Sequence, residues 1–572
     1  MFTKSLLMSL LLAGTAIKGC EACGSCVEPR HAGDEGNSSA RSLIHDAIKA
    51  LGGRQSLHNL HGVTYESPEI LRVSTLMQNY NLFHSDRYVV SHGSQNISYS
   101  FSDTMAQRID RNYQLSDYFF FGTPSIPPVQ FSLVMKSGPE GYACYTEGND
   151  FVFVPGNVTT GYTDSALADY LLFQAQKMSP RLLLDIERHR LQSVNVDING
   201  VPFPARYYAF LPSVLTVHDK DLDLTVAFNL ETKLPFVFRS FEDHAIFGRT
   251  ENDLRLFNYK EVNGIMFPTQ RLVVQNGTSV LEQTTFAKVI PNPKFPDDFF
   301  DGLDEDKSAT PRVPPSKIDG YSHAEIGEYW TNALWGGPYA GTYDNLTSET
   351  LGEDLPNAHR LLVENNPVVE HLVLDFEDGV IVYEAPPHQT DLVIRWVKEN
   401  LKKPITHIFP THHHHDHNYD IHKYVELGAK IIAPEVGAPY WKQIPGAEII
   451  TFTEEEPFIY SDDTMQARFI WHSEAPHAAD WSYSIVTTKC PTANSTMLAY
   501  EADAFSTLTH FDTQLAYGWL NLAVLDGMSR NTTVVPTHGR PVPLSVLLDQ
   551  IDYVYPPFDS TDLRVGGQSC VS

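Results

Sequence analysis

The chain has few basic residues, few cysteines and no long apolar segment beyond its start. Lysine and arginine number 41 against 70 aspartates and glutamates, so the formal net charge is −29 over 572 residues. Because nucleic-acid backbones require a basic surface, this balance disfavours a nucleic-acid substrate and a nuclease function. No later apolar run reaches the roughly 20 residues that a transmembrane helix needs. The sequence therefore predicts an acidic protein without a transmembrane segment.

The N-terminus is typical of a cleaved secretion signal. Lys4 precedes an apolar run from Leu6 to Leu12, which is too short to span a bilayer. We expect residues 1–19 to be a signal peptide and the mature protein to be secreted. Cys20 also permits a lipoprotein signal, although Lys18 fits that motif poorly.

The cysteines and the glycosylation sequons agree with an extracellular protein. The six cysteines are Cys20, Cys23, Cys26, Cys144, Cys490 and Cys570. The first three have no histidines at a recognisable spacing, so they favour disulfides over a metal site, and the pairing stays open. Seven N-x-S/T sequons occur, at Asn37, Asn96, Asn157, Asn276, Asn345, Asn494 and Asn531. On a secreted chain these sequons predict a glycosylated surface.

One histidine-rich segment is the strongest functional signal. Residues 411–417 read Thr-His-His-His-His-Asp-His and contain an H-x-H-x-D-H spacing of four candidate ligands, namely His412, His414, Asp416 and His417. Imidazole and carboxylate are preferred ligands of Zn²⁺ and similar metals. The apolar stretch 405–409 predicts a buried strand before the segment, and the periodicity over 421–427 predicts a helix after it. The ligands are therefore expected on a strand-to-helix loop, where open α/β sheets place their sites.

This segment resembles the T-H-x-H-x-D-H signature of the metallo-β-lactamase superfamily, and three later segments resemble further elements of that family in the same order. Ala475-Pro476-His477, followed by Trp481-Ser482, resembles the loop that carries the third histidine. Residues 500–504 resemble a strand-end element with Asp503 as its aspartate, and residues 534–539 resemble the last element with His538 as its ligand. The resemblance covers about the last 240 residues.

The resemblance implies two zinc ions per chain and a hydrolytic activity. One ion would be bound by His412, His414 and His477, and the other by Asp416, His417 and His538. Asp503 would bridge the two ions, and Asp416 would also accept the proton released by the nucleophile. The implied enzyme is a secreted metallo-hydrolase that uses a zinc-bound hydroxide on a small ester, lactone, amide or thioester.

Several alternatives stay open. An iron-dependent oxidoreductase on the same fold and a ligand-binding module with a structural metal site are the competing functions. His472 competes with His477 for the third histidine position, while His413 and His415, at the x positions, are expected in the outer shell or facing solvent. The family pattern continues with two glycines, but here Asn418-Tyr419-Asp420 follows, which leaves the substrate class undetermined. The sequence does not determine the oligomeric state.

The length and the change of pattern along the chain predict two domains. After a linker at 20–42, a β-rich and mainly antiparallel domain is expected over 43–300. A proline- and charge-rich linker over 301–320 leads to a metallo-β-lactamase-like αβ/βα sandwich over 321–558 and a tail over 559–572. The overall class is therefore α+β. In the first domain the pattern predicts a helix from Ser42 to Gly53 and a hairpin at Asn263-Gly264.

Overall fold

The computed structural model describes residues 33–73, 91–101, 105–114, 129–138, 141–148, 161–162, 165–193, 215–244, 246–275, 279–301, 342–364, 369–386, 389–507 and 513–565. The predicted signal peptide at 1–19 and all but the first residue of the predicted linker at 301–320 lie outside these ranges, so both stay predictions. Four of the cysteines, Cys20, Cys23, Cys26 and Cys570, lie outside them too. None of the described helices combines the length and apolarity needed to cross a bilayer.

The N-terminal half contains mostly strands. Its described helices are α1 Gly33–Ala50, α2 Arg54–His58, α3 Ser165–Met178 and α4 Leu182–Ile186. Its described strands are β1 Gly62–Val73, β2 Ser91–Phe101, β3 Met105–Gln114, β4 Val129–Gly138, β5 Gly141–Gly148, β6 Gly161–Tyr162, β7 Leu191–Ser193, β8 Leu215–Asp219, β9 Leu224–Phe228, β10 Pro235–His244, β11 Gly248–Phe257, β12 Lys260–Val262, β13 Ile265–Phe267, β14 Gln270–Gln275, β15 Ser279–Thr285 and β16 Lys288–Pro291.

Helix α1 begins at Gly33, inside the segment that we expected to be a linker at 20–42. The linker prediction relied on glycine and serine content, but Ala40 continues the buried stripe formed by Ile44 and Ala47 at helical spacing. Packing of this apolar face outweighs the weak helix propensity of the preceding residues. The helix ends where expected, before Gly52, whose φ of 125° is accessible only to glycine without strain.

One large antiparallel sheet organises the N-terminal half. Its strand order is β6-β5-β4-β3-β2-β1-β15-β14-β11-β10-β9-β8-β7, and β16 pairs with β1. Residues of α1, α3 and α4 share a buried core with inward-facing residues of β1, β2 and β11. Strands β12 and β13 form a separate hairpin, with Asn263 at φ 53° and Gly264 at φ 77° as a two-residue turn requires. The predicted β-rich, mainly antiparallel character and the Asn-Gly hairpin are confirmed.

The C-terminal half alternates strands and helices. Its described strands are β17 Leu346–Thr350, β18 Ala358–Val363, β19 Glu370–Phe376, β20 Gly379–Tyr383, β21 Ile405–Phe409, β22 Lys430–Pro434, β23 Ile449–Phe452, β24 Phe458–Ser461, β25 Met465–Trp471, β26 Ser482–Thr488, β27 Met497–Glu501, β28 Thr533–Pro536 and β29 Val542–Pro543. Its described α-helices are α5 Thr390–Trp396, α6 His415–Asn418, α7 Ile421–Glu426, α8 Ala438–Trp441, α9 Thr513–Asp526 and α10 Leu544–Ile551. A 3₁₀ turn spans Tyr343–Asn345, and a π-helical turn at Val397–Leu401 continues α5.

Two sheets stack face to face in this half. Strands β17 to β23 form the first sheet in sequential order, and β24 to β29 form the second. Phe409 of the first sheet and Phe469 of the second meet in the core between them. Helices α5, α7 and α8 share a core with the other face of the first sheet, and α9 and α10 with that of the second. The layers are therefore helix, sheet, sheet and helix.

The last described residues belong to this half rather than to a free tail. Leu563 and Val565 pack against the core formed by α9 and α10. The backbone N–H of Arg564 donates to the carbonyl of Asp526, at 2.8 Å. The tail that we expected from residue 559 is therefore wrong up to residue 565, because its apolar side chains contribute to the core.

Candidate metal centre

Five histidines and one aspartate converge where strands of both C-terminal sheets end. His412 and His414 follow β21, and His417 lies in the short helix α6. His477 lies between β25 and β26, Asp503 follows β27, and His538 follows β28. These six residues form two groups of potential metal ligands that share Asp503, namely His412, His414, His477 and Asp503, and His417, Asp503 and His538.

The shared carboxylate lies within reach of four imidazoles. Asp503 Oδ2 is 3.3 Å from His412 Nε2, 3.0 Å from His417 Nε2 and 3.4 Å from His477 Nε2. Asp503 Oδ1 is 3.2 Å from His538 Nε2. Oδ2 therefore lies against members of both groups and Oδ1 lies against His538, so the two groups share this carboxylate.

The spacing of the nitrogen atoms fits tetrahedral metal coordination. His414 Nδ1 lies 3.2 Å from His477 Nε2, and His417 Nε2 lies 3.3 Å from His538 Nε2. Metal–nitrogen bonds of 2.0–2.1 Å at tetrahedral angles place neighbouring ligand atoms about 3.3 Å apart. Both groups can therefore hold a metal ion without rearrangement of these side chains.

Burial keeps His412 and His414 neutral, and the surrounding imidazoles keep Asp503 ionised. Burial, strengthened by the neighbouring imidazoles, lowers the pKa of His412 and His414 well below the usual value. Burial alone would raise the pKa of Asp503, but His417 and hydrogen bonds from the surrounding imidazoles outweigh it and hold the pKa well below the usual range. Neutral imidazole and ionised carboxylate are the protonation states that bind metals.

The Asp503 turn is held from both sides. Asp503 has a left-handed φ of 66°, which is uncommon outside glycine and costs on the order of 1–3 kcal/mol. The indole N–H of Trp481 donates to the carbonyl of Ala502 at 2.6 Å, and the backbone N–H of Ala504 donates to the Glu501 carboxylate at 3.0 Å. These bonds hold the turn in the conformation that directs Asp503 toward the histidines.

The outer ring nitrogen of His412 and the backbone of its loop have protein partners. His412 Nδ1 lies 3.0 Å from Thr411 Oγ1, and the Asn418 amide donates to the His412 carbonyl at 2.7 Å. The Thr411 carbonyl accepts the backbone N–H of Ser482 at 2.9 Å, which ties this loop to the second sheet. Such outer contacts orient metal-binding imidazoles.

The histidines at the two x positions do not face solvent. His413 is fully buried, and its Nδ1 lies 2.8 Å from Asp480 Oδ1. His415 is 3% exposed and hydrogen-bonds to the Tyr440 hydroxyl. The prediction of outer-shell placement fits both residues, but the alternative of solvent exposure is wrong, because the surrounding loops and α8 enclose the segment.

The competing third histidine lies elsewhere. His472 Nε2 is 2.9 Å from Asp526, and its Nδ1 is 3.0 Å from Glu454. Burial alone would lower the pKa of His472, but the hydrogen bonds and charges of these two carboxylates raise it above 6.5. His472 therefore belongs to a separate ionic cluster, whereas His477 joins the group with His412 and His414.

Asp416 is the seventh predicted ligand. Its backbone lies in α6, between His415 and His417, but its side chain lies outside the described part of the structure. Its assignment as a ligand and as the proton acceptor stays a prediction.

Sequence reasoning missed one buried acid beside the site. Glu384 follows β20, is 0% exposed and has a left-handed φ of 63°. Burial raises the pKa of Glu384 to about 7, and attraction to His417 offsets only part of that effect. The available signal was an acidic residue directly after the all-apolar strand Val380–Tyr383, a position typical of strand-end sites.

Replacing Glu384 with glutamine is expected to remove a pH-dependent loss of stability from the metal-free protein and to weaken metal binding. In metal-free protein, the raised pKa means that folding favours the protonated acid. The stabilisation of the fold by protonated Glu384 is fully present below pH 4.5 and is lost as the pH rises through about 7. The loss is on the order of 3 kcal/mol. Denaturant titrations of metal-free protein at pH 5 and pH 8 should show this loss in the wild type but not in Glu384→Gln. Metal affinity should fall about 10–100-fold. An unchanged affinity would contradict a role beside the metal centre.

No protein-family model and no curated protein matches the chain. Solved metallo-β-lactamases overlap with part of it. The enzyme from Hirschia baltica is 15% identical, with a TM-score of 0.28, and the match covers 37% of this chain and 98% of that enzyme. The enzyme from Pontibacter korlensis is 15% identical, with a TM-score of 0.29, over 36% of this chain and 97% of its own. Because these overlaps are partial and low in identity, the interpretation of the site rests on its own geometry.

Proposed function

We propose that the protein is a dinuclear zinc hydrolase of the metallo-β-lactamase type. The observation that carries this proposal is the position of Asp503, whose one carboxylate lies within 3.4 Å of histidines from two groups of potential ligands. A structural zinc site needs only four ligands that enclose one ion. A shared carboxylate between two groups instead supports a pair of metals, an arrangement typical of hydrolytic sites.

The donor set suits zinc. The first ion would be held by His412, His414 and His477, and the second by His417 and His538 together with the proposed ligand Asp416. Asp503 would contact both. When bound, Zn²⁺ lowers the pKa of a coordinated water from 15.7 to about 7 and polarises a carbonyl oxygen of the substrate.

The surrounding residues orient this set and supply a proton acceptor. The Asp480 carboxylate holds His413, and Thr411 holds His412, so the loop presents its imidazoles in one direction. The Asp416 carboxylate is the proposed acceptor of the proton that the attacking water releases. The proposed substrates are small esters, lactones, amides or thioesters.

Metal analysis followed by a substrate panel tests the proposal. Protein purified without chelators should contain about two zinc ions per chain. It should hydrolyse at least one member of a chromogenic panel of esters, lactones, thioesters and a cephalosporin, and dialysis against a chelator should remove the activity. Stoichiometric iron with oxidase activity and no hydrolysis would favour the competing oxidoreductase. Protein that holds at most trace metal would refute the proposal.

We also propose that the protein is secreted and glycosylated. Among the described sequons, Asn96, Asn494 and Asn531 have exposed side chains, which supports glycan attachment. Secreted material is expected to begin between Ile17 and Cys23 and to lose mass on deglycosylation if it comes from a eukaryotic host. N-terminal sequencing that finds Met1 would contradict secretion by a cleaved leader.

A further inference from the structure

The N-terminal sheet reaches the metal centre through the end of one hairpin. Strands β10 and β11 pair from Val237 and Arg255 to His244 and Gly248. Beyond this pairing, Ile246 is fully buried in the core formed by α5, α7 and α8, which belongs to the C-terminal half. We call His244, Ile246 and Phe247 the hairpin tip.

The hairpin tip is internally ordered. The backbone N–H groups of Ile246 and Phe247 donate to His244 Nδ1 at 2.9 and 3.2 Å. The rings of His244 and Phe247 stack with their centroids 4.5 Å apart. The tip therefore presents two aromatic rings as one preformed surface.

This aromatic surface packs against one face of the short helix α6 and the residue that follows it. His415 and Tyr419 are four residues apart, so their side chains lie on the same face of the turn. The His244 ring centroid lies 5.7 Å from His415 and 5.5 Å from Tyr419. Phe247 lies 6.1 Å from His415 and 5.9 Å from Tyr440, the hydroxyl partner of His415.

Tyr419 explains the departure from the family's two glycines. The tyrosine is 1% exposed and belongs to the core of the N-terminal sheet, not to that of the C-terminal helices. A glycine at this position would leave no side chain to contact His244. Of the two replaced glycine positions, 419 and 420, the change at residue 419 therefore matches a contact between the two halves of the chain.

The two metal groups differ in what holds them. The segment with His412 and His414 is tied to the second sheet through Thr411 and Ser482, and through His413 and Asp480. Helix α6 spans only four residues, too few to be stable alone. Its backbone is bonded to Ala385 on one side, and the hairpin tip packs on its His415 and Tyr419 face.

We propose that the hairpin tip is a positioning element for the metal centre, and that the His417 group depends on it more than the His412 group does. The inference rests on the proposed dinuclear site. It assigns the N-terminal sheet a part in building that site: Phe247 and His244 hold α6 so that His417 Nε2 meets Asp503, at 3.0 Å.

Metal titration of the full-length chain tests the inference. Metal-free wild type and Phe247→Ala are titrated with Co²⁺ against a chromogenic chelator, and the visible spectrum of bound cobalt is recorded. The wild type should bind two ions. In Phe247→Ala, one of the two affinities should fall about 10–100-fold while the other changes less than about threefold. His417→Ala identifies which affinity and which absorption band belong to the His417 group.

Two matched variants separate positioning from general destabilisation. Arg249→Ala alters an exposed residue of the same hairpin that lies over Phe241. Phe267→Ala removes a buried ring of the same size from the N-terminal core, where it contacts Tyr65. Both should keep two unchanged affinities, and Phe247→Leu, which retains apolar volume, should recover most of the loss.

The outcomes are distinguishable. If Phe247→Ala binds two ions as the wild type does, or if both affinities fall equally, the inference is overturned while the proposed function stands. If Phe247→Ala is insoluble, Tyr419→Ala removes the ring that contacts His244 of the hairpin tip from the opposite side, and its two affinities decide in the same way. If the wild type binds no metal at all, both the proposed function and this inference are overturned.

Discussion

Asp503→Ala is expected to release both metal ions and to lower kcat/KM by more than about 1,000-fold. Loss of an outer-shell partner alone costs 10–100-fold in metal affinity or activity, and Asp503 is the one residue common to both ligand groups in the described structure. Its carboxylate also supplies the negative charge next to His412, His417, His477 and His538. Elemental analysis and steady-state kinetics of the purified variant measure both effects.

Asp480→Asn is the matched control, because Asp480 is also a buried carboxylate bonded to a histidine of the same loop. It contacts His413 rather than a member of either ligand group. We expect this variant to keep two metal ions and to lose activity about 10–100-fold at most. Retention of two ions by Asp503→Ala, or loss of both by Asp480→Asn, would show that the bridging role is assigned to the wrong residue.

The second large effect is a contrast between two nearby histidines. His477→Ala is expected to lower kcat/KM by more than about 100-fold with little loss of stability, since its imidazole faces His414 and Asp503 and contributes mainly to metal binding. His472→Ala is expected to keep the metal content and most of the activity. Kinetics together with metal analysis of the two variants decide between the candidates for the third histidine.

His472→Ala should instead reduce the free energy of unfolding by on the order of 2 kcal/mol, because the Asp526 and Glu454 carboxylates lose a charged partner. The raised pKa of His472 sets the pH dependence. The stabilising contribution of protonated His472 is fully present below about pH 6.5 and is lost as the pH rises through the raised pKa of this residue. Urea denaturation at pH 6 and pH 9 should therefore show a smaller difference from wild type at pH 9. If His472→Ala lost activity while His477→Ala kept it, His472 would be the third histidine instead of His477.

The hairpin contact also bears on how the two halves of the chain work together. Residues of the N-terminal sheet and of the C-terminal helices share two buried cores, through Tyr419 in one and Ile246 in the other. Exchange of single apolar side chains between two cores favours a fixed relative position over independent motion. A purified C-terminal half would therefore expose apolar surface that the intact chain buries.

Local sequence patterns determined the elements that carry the site. The apolar run Ile405–Phe409 predicted a strand and forms β21. The apolar periodicity after His417 predicted a helix and forms α7. The Asn263-Gly264 turn was predictable because two adjacent positive φ angles are accessible to few residue pairs. The H-x-H-x-D-H spacing predicted His412, His414 and His417 as metal ligands, and the structure places all three in the two groups of potential ligands.

The resemblance named His477, Asp503 and His538 as the distant residues that join that spacing, and tertiary structure decided how they meet it and what surrounds them. His472 and His477 lie only five residues apart, and the path of the loop after β25 directs one toward Asp526 and the other toward Asp503. Glu384 and Tyr419 showed no motif, because their roles come from burial beside residues far away in the chain. Sequence spacing reports neighbours along a strand or helix, whereas a site between two sheets is defined by how their ends meet, and that depends on packing of the whole core.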